Sequence, residues 1–566
     1  MAHVKFVCLL SLLLTIFAAH RGFAEDLFPD YSKEQKAKIY ATLSLQEVET
    51  FLTYQALKDL EVPLLITAID RTHLASGSVE FARLLQPTSN MDKLQRRRLI
   101  LEELLKNDST LFEALEQTLR EFSNKDENLF ISLVDGDILP NMSASSKLGT
   151  GIVTTVMSLL ALGDTKRHII SDRANMRQTS WLSWLNSARS IYIEIIGGIY
   201  LSYYAYQNLN EAYQTIDETD QFVFKFARAV MVMEKINAII QSSATLSNAF
   251  PAFQDFKNIS RQDQNLAWTL EKLASRADAQ DSFWAYWHMK DSMILYDQIR
   301  SLKMQFANIL WWISRIDAYM SVIRWIKERE KNGEDVTFVT YIKDAHRPQY
   351  QLQNLTNPTI ENSVANDFNI NGHAILTGPH ALGKTSSMRS IAYAHIMGQS
   401  IVVVPAKKAA FAPVFNIKTY FNVGDSNGES SFQAELRRMT ELLAFATQNS
   451  SNQPILFFID EPFAKTPSLV GNHLMQQFLN KTVDAPNLSM LLSTHLEIPS
   501  QFAENHKDVM QNLQPEVRKI NSNFLTTYKI VPGAAHWWFE NEDNQTNDYI
   551  KWLMSKQLDT VKLWFE

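Results

Sequence analysis

Residues 378–385 read Gly-Pro-His-Ala-Leu-Gly-Lys-Thr and satisfy the pattern G-x-x-x-x-G-K-[ST] at every fixed position. In such a loop, Gly378, Pro379, His380, Ala381, Leu382 and Gly383 form the turn around a polyphosphate; all but Pro379, which has no N–H, offer backbone donors to it. Lys384 adds a full positive charge, and the helix that follows, through Thr385 and Ser386, adds the positive end of its dipole. Thr385 also supplies a hydroxyl of the kind that such loops place on Mg²⁺. About 75 residues further on, Asp460 and Glu461 stand side by side. A carboxylate at the first position can hold Mg²⁺, and one at the second can polarise the water that attacks a γ-phosphate. A histidine, His495, follows another 34 residues later, where a neutral imidazole could sense the γ-phosphate or orient water. The chemistry implied is ATP binding with Mg²⁺, followed by hydrolysis.

Those side chains need parallel strands to bring them together. His373–Thr377 is a short, largely apolar run before the glycine loop, and Thr385–Met397 can form the helix after it. Ile455–Ile459 is a continuous apolar run, as expected of a strand buried on both faces, and it ends at Asp460. Leu488–Thr494 repeats that pattern and ends at His495. Strand, loop, helix and two further buried strands in this order describe a P-loop NTPase domain.

Between the phosphate loop and the acidic pair lies Gly424-Asp-Ser-Asn-Gly-Glu-Ser-Ser-Phe-Gln-Ala-Glu435, which resembles the signature loop of the MutS family of DNA mismatch-repair ATPases, S-G-x-S-x-F-x-x-E. Gly428, Ser430, Phe432 and Glu435 match, and Asn427 stands at the first serine. Read from the residues alone, Asn-Gly is also an ordinary turn pair. The resemblance continues in Thr377–Ser386, Val404-Pro-Ala406, Ser493-Thr-His495, Tyr528–Gly533 and Asn366-Asp367. Upstream, Asp70–Gly77, Leu84–Pro87, Arg98 and Glu102–Leu105 resemble the opening of the family's helical core. It implies a homodimer formed through the ATPase domain, in which Gly428 and Ser430 reach the partner's ATP. It also implies DNA as partner, with helical levers closing a clamp under nucleotide control.

Several positions depart from the family pattern. His380 replaces an asparagine, and Leu382 replaces the first glycine of a Gly-Gly pair. Pro462–Pro467 replaces the glycine-rich turn after the acidic pair, which leaves the hydrolysis rate open. Only about 35 residues separate a leader segment from the helical core, so mispair reading by a separate domain is not carried over.

The 566-residue chain is 46% hydrophobic, enough for more than one domain, and its 17 Gly and 17 Pro favour long helices over loop-rich β architecture. Its net charge of −7 gives no global pull toward nucleic acid, and the run Arg96, Arg97, Arg98 suits a solvated helix face. From Leu302 to Lys327, apolar residues recur at helical spacing and predict a long amphipathic helix, with Trp311, Trp312 and Trp325 as packing groups and Asp317 similar to the acid of the family's last core helix. The expected fold class is α plus α/β. A helical core and lever domain over 25–345 precedes a P-loop ATPase domain of the ABC/MutS type over 346–566.

Residues 1–24 have the form of a signal peptide: Lys5, an uncharged stretch from Phe6 to Ala19, and Gly22-Phe-Ala24 as a small-x-small cleavage site. The alternatives are an uncleaved membrane anchor or a misassigned start. The only cysteine, Cys8, lies inside this segment, so a processed chain would have no disulfides. Residues 148–163 and 191–206 are apolar but shorter than a membrane span and suit buried helices better. Two functions follow. One is an ATP-controlled dimeric clamp on DNA; the other is an exported or membrane-associated ATPase acting on protein or envelope partners. Export or membrane association and a cytoplasmic location both stay open.

Overall fold

A computed structural model describes residues 51–106, 110–122, 222–250, 303–342, 347–379, 381–421, 430–448, 453–520 and 523–535, together with single positions between 200 and 301. The leader 1–24, His380, Gly428, residues 148–163 and nearly all of 191–206 lie outside them. The chain divides into two compact units, one of residues 1–72, 76–112 and 314–566, the other of 73–75 and 113–313. The first unit is therefore broader than residues 346–566.

The sheet that matters for the site has six strands. In chain order they are β3 (His373–Thr377), β5 (Asn416–Tyr420), β6 (Ile455–Asp460), β7 (Leu488–Thr494), β8 (Met510–Ile520) and β9 (Asn523–Pro532). Their spatial order is β9-β8-β3-β7-β6-β5. Only the β8–β9 edge pair is antiparallel; the other four pairings are parallel. Every residue of β3 and β7 is buried, which is why both appear in the sequence as near-continuous apolar runs. A smaller sheet holds β1 (Gln349–Leu355), β2 (Asn366–Asn371) and β4 (Lys408–Phe411), with β1 between β4 and β2.

Nine helices complete the frame used below: α1 (Tyr54–Asp59), α2 (Val62–Ile69), α3 (Ala75–Leu84), α4 (Met91–Leu105), α5 (Lys303–Lys331), α6 (Lys384–Gly398), α7 (Ser431–Gln448), α8 (Ser468–Thr482) and α9 (Glu497–Asn505). The amphipathic pattern of 302–327 is realised as α5, 29 residues long. Helix α6 is buried on nearly every side, and twelve of its fifteen residues are inside. Its far end is held by Gln399, whose amide bonds the carbonyls of Thr88 and Val414 and accepts from the Val414 N–H. Arg97 binds the neighbouring Ser400 carbonyl at 2.8 Å.

A polar knot ties 70–78 to α5. Arg324 on α5 donates to both the Arg71 carbonyl and the fully buried Asp317 carboxylate, each at 2.8 Å. Ser321 accepts from the Arg71 N–H, and Asp70 accepts from the Thr72 N–H. Asp317, similar in the sequence to the acid of the family's last core helix, is the acid at the centre of this knot. In the second unit, Phe226 meets Phe222 and Phe306, while Phe222 also meets Tyr296 edge-on. Among the described residues no helix is long and apolar enough to cross a membrane.

Two outcomes test this packing. A Cβ on Gly77 would lie 2.4 Å from the Asp317 carboxylate oxygen, which Arg324 holds in place. Gly77→Ala should therefore destabilise the chain by about 1–3 kcal/mol, as overpacking does. Unchanged urea and thermal midpoints would show that the knot yields. The second concerns His395 on α6, whose ring lies fully buried between Tyr350 and Phe411. Burial lowers its pKa from 6.5 to about 3. The folded chain keeps this ring neutral while the unfolded chain protonates near 6.5, so stability is present above 6.5 and is lost as pH falls toward about 3. His395→Phe, which keeps a ring between the two aromatics, should flatten urea stability against pH across that window; an unchanged slope would assign the acid sensitivity elsewhere.

Candidate nucleotide site

Register brings the three sequence motifs to one edge of the sheet. In the β3–β7 pairing Thr377 lies opposite Thr494, and in the β6–β7 pairing Asp460 lies opposite Ser493. The glycine loop, the acidic pair and His495 thus leave the carboxyl ends of three adjacent parallel strands, the usual place for a ligand crevice. Strand β7, with His495 at its tip, lies between the other two.

The glycine loop turns as its residue types allow. Gly383, the N-cap of α6, has φ 84°, and Gly378 has φ 148°, both in a region that side chains rarely enter. Ala381 also adopts a left-handed φ of 62°. Leu382, where the family pattern has glycine, puts its side chain into the core at 3% exposure, so this departure adds packing and leaves the turn intact. The Lys384 ammonium donates to the carbonyls of Gly378 and Pro379 at 2.9 and 2.8 Å, and lies 3.3 Å from the Glu461 carboxylate. Burial lowers the lysine's pKa, against the opposing pull of Glu461 and Asp460.

The Thr385 hydroxyl donates to Asp460 at 2.8 Å, and the Ser493 hydroxyl donates to the other oxygen of the same carboxylate. Burial raises the Asp460 pKa, while both hydroxyls and Lys384 act to keep it charged. A hydroxyl and a carboxylate this close form a hard oxygen pair that fits Mg²⁺. These groups open onto a cavity of about 710 Å³ lined by Ala381, Gly383, Lys384, Thr385, Ser386, Asp460 and Glu461.

The same cavity is lined by residues that the motifs did not reveal. Tyr528 is 49% exposed at its wall, and Gly383 lies so close that an added Cβ would be 3.4 Å from the ring. Asn366 pins that strand: its side chain donates to the Tyr528 carbonyl and accepts from the Ile530 N–H at 2.7 Å. Both stretches were visible as family-like segments, but nothing in either marked a place at the cavity. Arg389, another wall residue, bonds Glu61 at 2.9 Å, a pairing across more than 300 residues.

Ser430 is placed differently. It is exposed, is not among the residues lining its own chain's cavity, and caps α7 through reciprocal bonds with Gln433.

Residues 374–540 match the family model for MutS domain V. The chain is 29% identical over 205 residues to the DNA mismatch repair protein MutS of Macrococcus caseolyticus, covering 35% of this chain and 23% of that protein. It is 28% identical over 213 residues to the DNA mismatch repair protein MutS of Clostridium tetani, covering 37% and 23%. Against the Endonuclease MutS2 of Streptococcus equi subsp. equi it is 27% identical over 236 residues, covering 40% and 29%. The chain thus spans about a quarter of the length of the curated relatives it matches. The phosphate loop and the acidic pair thus lie within the region, residues 374–540, that matches MutS domain V and that is similar to these relatives.

Proposed function

We propose that this chain binds and hydrolyses ATP in the cavity beside the glycine loop and works as an ATP-controlled dimeric clamp on DNA. The observation that carries the ATPase reading is the convergence of Lys384, Thr385, Asp460 and Glu461 at one cavity. Phosphate oxygens compete with Glu461 and two loop carbonyls for the Lys384 ammonium. The loop's N–H groups and the α6 N-terminus orient the same oxygens. Thr385 and Asp460 would hold Mg²⁺, which when bound neutralises phosphate charge. Glu461 takes the proton of the attacking water, and His495 stands at the neighbouring strand tip to orient that water. The Tyr528 ring, with Ile360 and Val364, offers an apolar wall on which a base can lie.

The dimer and DNA parts rest on family and surface. Relatives carry the name DNA mismatch repair protein, which supports DNA as partner over the reading of an exported ATPase acting on envelope proteins. Phe432 and Leu436 on α7 and Leu469 and Val470 on α8 are exposed apolar side chains in the same domain, as a subunit contact requires. In the dimer, Gly428 and Ser430 complete the partner's site.

Lys384→Ala should weaken ATP binding by about 10- to 100-fold, the worth of a lost charged hydrogen bond. Glu461→Gln should bind ATP normally and hydrolyse it about 10²- to 10⁴-fold more slowly. Calorimetric titration and single-turnover hydrolysis separate the two, and equal loss of binding in both variants would contradict these roles. For the composite site, Ser430→Asn keeps a helix cap but loses the hydroxyl, so its rate should fall without a comparable loss of stability. Mixing it with Lys384→Ala should restore activity above either variant alone, because one site of the heterodimer has an intact loop and an intact serine. A rate independent of protein concentration, with no gain on mixing, would place Ser430 outside the reaction.

A further inference from the structure

Glu435 lies on α7, five residues after Ser430, and its carboxylate is among the most buried charges of the first unit, at 4% exposure. One oxygen accepts from the Thr466 hydroxyl at 2.9 Å, and the other accepts from the Lys465 N–H at 3.4 Å. Both partners belong to Pro462–Pro467, the segment that directly follows Glu461. Glu435, Glu461, Ala464 and Lys465 all line the same cavity.

The backbone of that segment is strained. Glu461 has φ 46° and Phe463 has φ 59°, two left-handed non-glycine residues in three positions. Such conformations persist only where their surroundings over-determine them. Here the Glu461 N–H bonds the Ser493 carbonyl at 3.0 Å, and Phe463 is inserted in the hydrophobic core. Beyond these, the carboxylate of Glu435 grips the far limb of the turn.

We infer that Glu435 is a positioning residue for hydrolysis: it clamps the strained turn through Lys465 and Thr466 and so fixes the direction of the Glu461 carboxylate. The inference rests on the ATPase reading above and adds a link to it. Helix α7 begins next to Ser430 and holds Glu461 of its own chain through Glu435. A subunit that presents Ser430 to its partner's nucleotide therefore moves, on the same helix, the clamp on its own catalytic carboxylate.

The test uses the full chain and four variants. Glu435→Ala should lower kcat for ATP by about tenfold or more, since small misplacement of a catalytic group has effects of that order, while the dissociation constant for ATP stays within about threefold. The double variant Glu435→Ala/Glu461→Gln should hydrolyse no more slowly than Glu461→Gln alone, because the clamp acts only through Glu461. Glu435→Gln keeps the volume and one acceptor and should recover part of the rate; it also replaces the alanine variant if that chain does not fold. Hydrogen exchange gives a readout independent of turnover: the amide of Lys465 should exchange faster in Glu435→Ala, with β3 and β7 unchanged. Losses that multiply in the double variant, an ATP affinity that falls as far as kcat, or unaltered Lys465 exchange would each overturn the positioning role. A wild-type chain that neither binds nor hydrolyses ATP would overturn the ATPase reading itself, an outcome distinct from all of these.

Discussion

A buried carboxylate must find hydrogen-bond donors or give up its charge. Asp460 meets that constraint with the hydroxyls of Thr385 and Ser493, one from each neighbouring motif. This arrangement needs the end of β6 beside β7 in a fixed register, and α6 starting at the height of the β6 tip. A shift of β6 or β7 by one residue would turn Asp460 or Ser493 to the other face of the sheet. Ser489, on the same face of β7 as Ser493, holds the register at the other end of the strand, where its hydroxyl donates to the Gly372 carbonyl. The chemistry at the sheet edge is thus fixed by polar bonds at both ends of a buried strand.

Helix α6 carries the same order away from the site. Its first turn presents Lys384 and Thr385, its middle is tied by Tyr393 to the Leu60 carbonyl, and its end is tied by Gln399 to Thr88. Helix α7 is tied to the same N-terminal segment: Arg438 meets Asp59 at 2.9 Å, and Asp59 also accepts from Thr419 on β5. Asp59, Leu60 and Thr88 are thus bonded to α6 and its C-cap, to α7 and to β5. Two elements of the nucleotide site are braced by chain more than 300 residues away. A helix held at both ends and buried along its length has one arrangement in which all these bonds are made.

Sequence reasoning located what is local. The run 373–377 became β3 and 488–494 became β7 with the same limits, because strands buried on both faces are written as largely apolar runs. The loop and acidic pair were legible because phosphate binding demands fixed residue types at fixed spacing. Contacts across long sequence distances were not. Asp59 and Arg438 look like ordinary charges on helices until the fold joins them, and Arg389 and Glu61 do likewise. Tyr528 reads as one residue of a family-like strand, and only the irregularity in the β8–β9 pairing, where Tyr528 has a left-handed φ of 56°, marks its place at the cavity. Ser430 was read for its place in a signature, while its N-cap bonds to Gln433 were equally visible as Ser followed three residues later by Gln.

The segment after Glu461 shows how a departure from family pattern can keep a geometry by other means. Glycine makes left-handed φ cheap, whereas side chains at such positions cost on the order of 1–3 kcal/mol each. Residues 462–467 contain no glycine, yet the turn uses left-handed φ at Glu461 and Phe463. The offset comes from burial. Phe463 is 2% exposed within the cluster that contains Met475, Phe478 and Leu496, and burying a phenylalanine contributes about 1.5–3 kcal/mol. Gly471 on α8 allows the approach, since a Cβ there would come within 3.3 Å of the Phe463 Cβ. The glycine missing from the turn is matched by one on the helix that packs against it, and the flexibility that a glycine-rich turn would give to Glu461 is exchanged for a side chain anchored in the core.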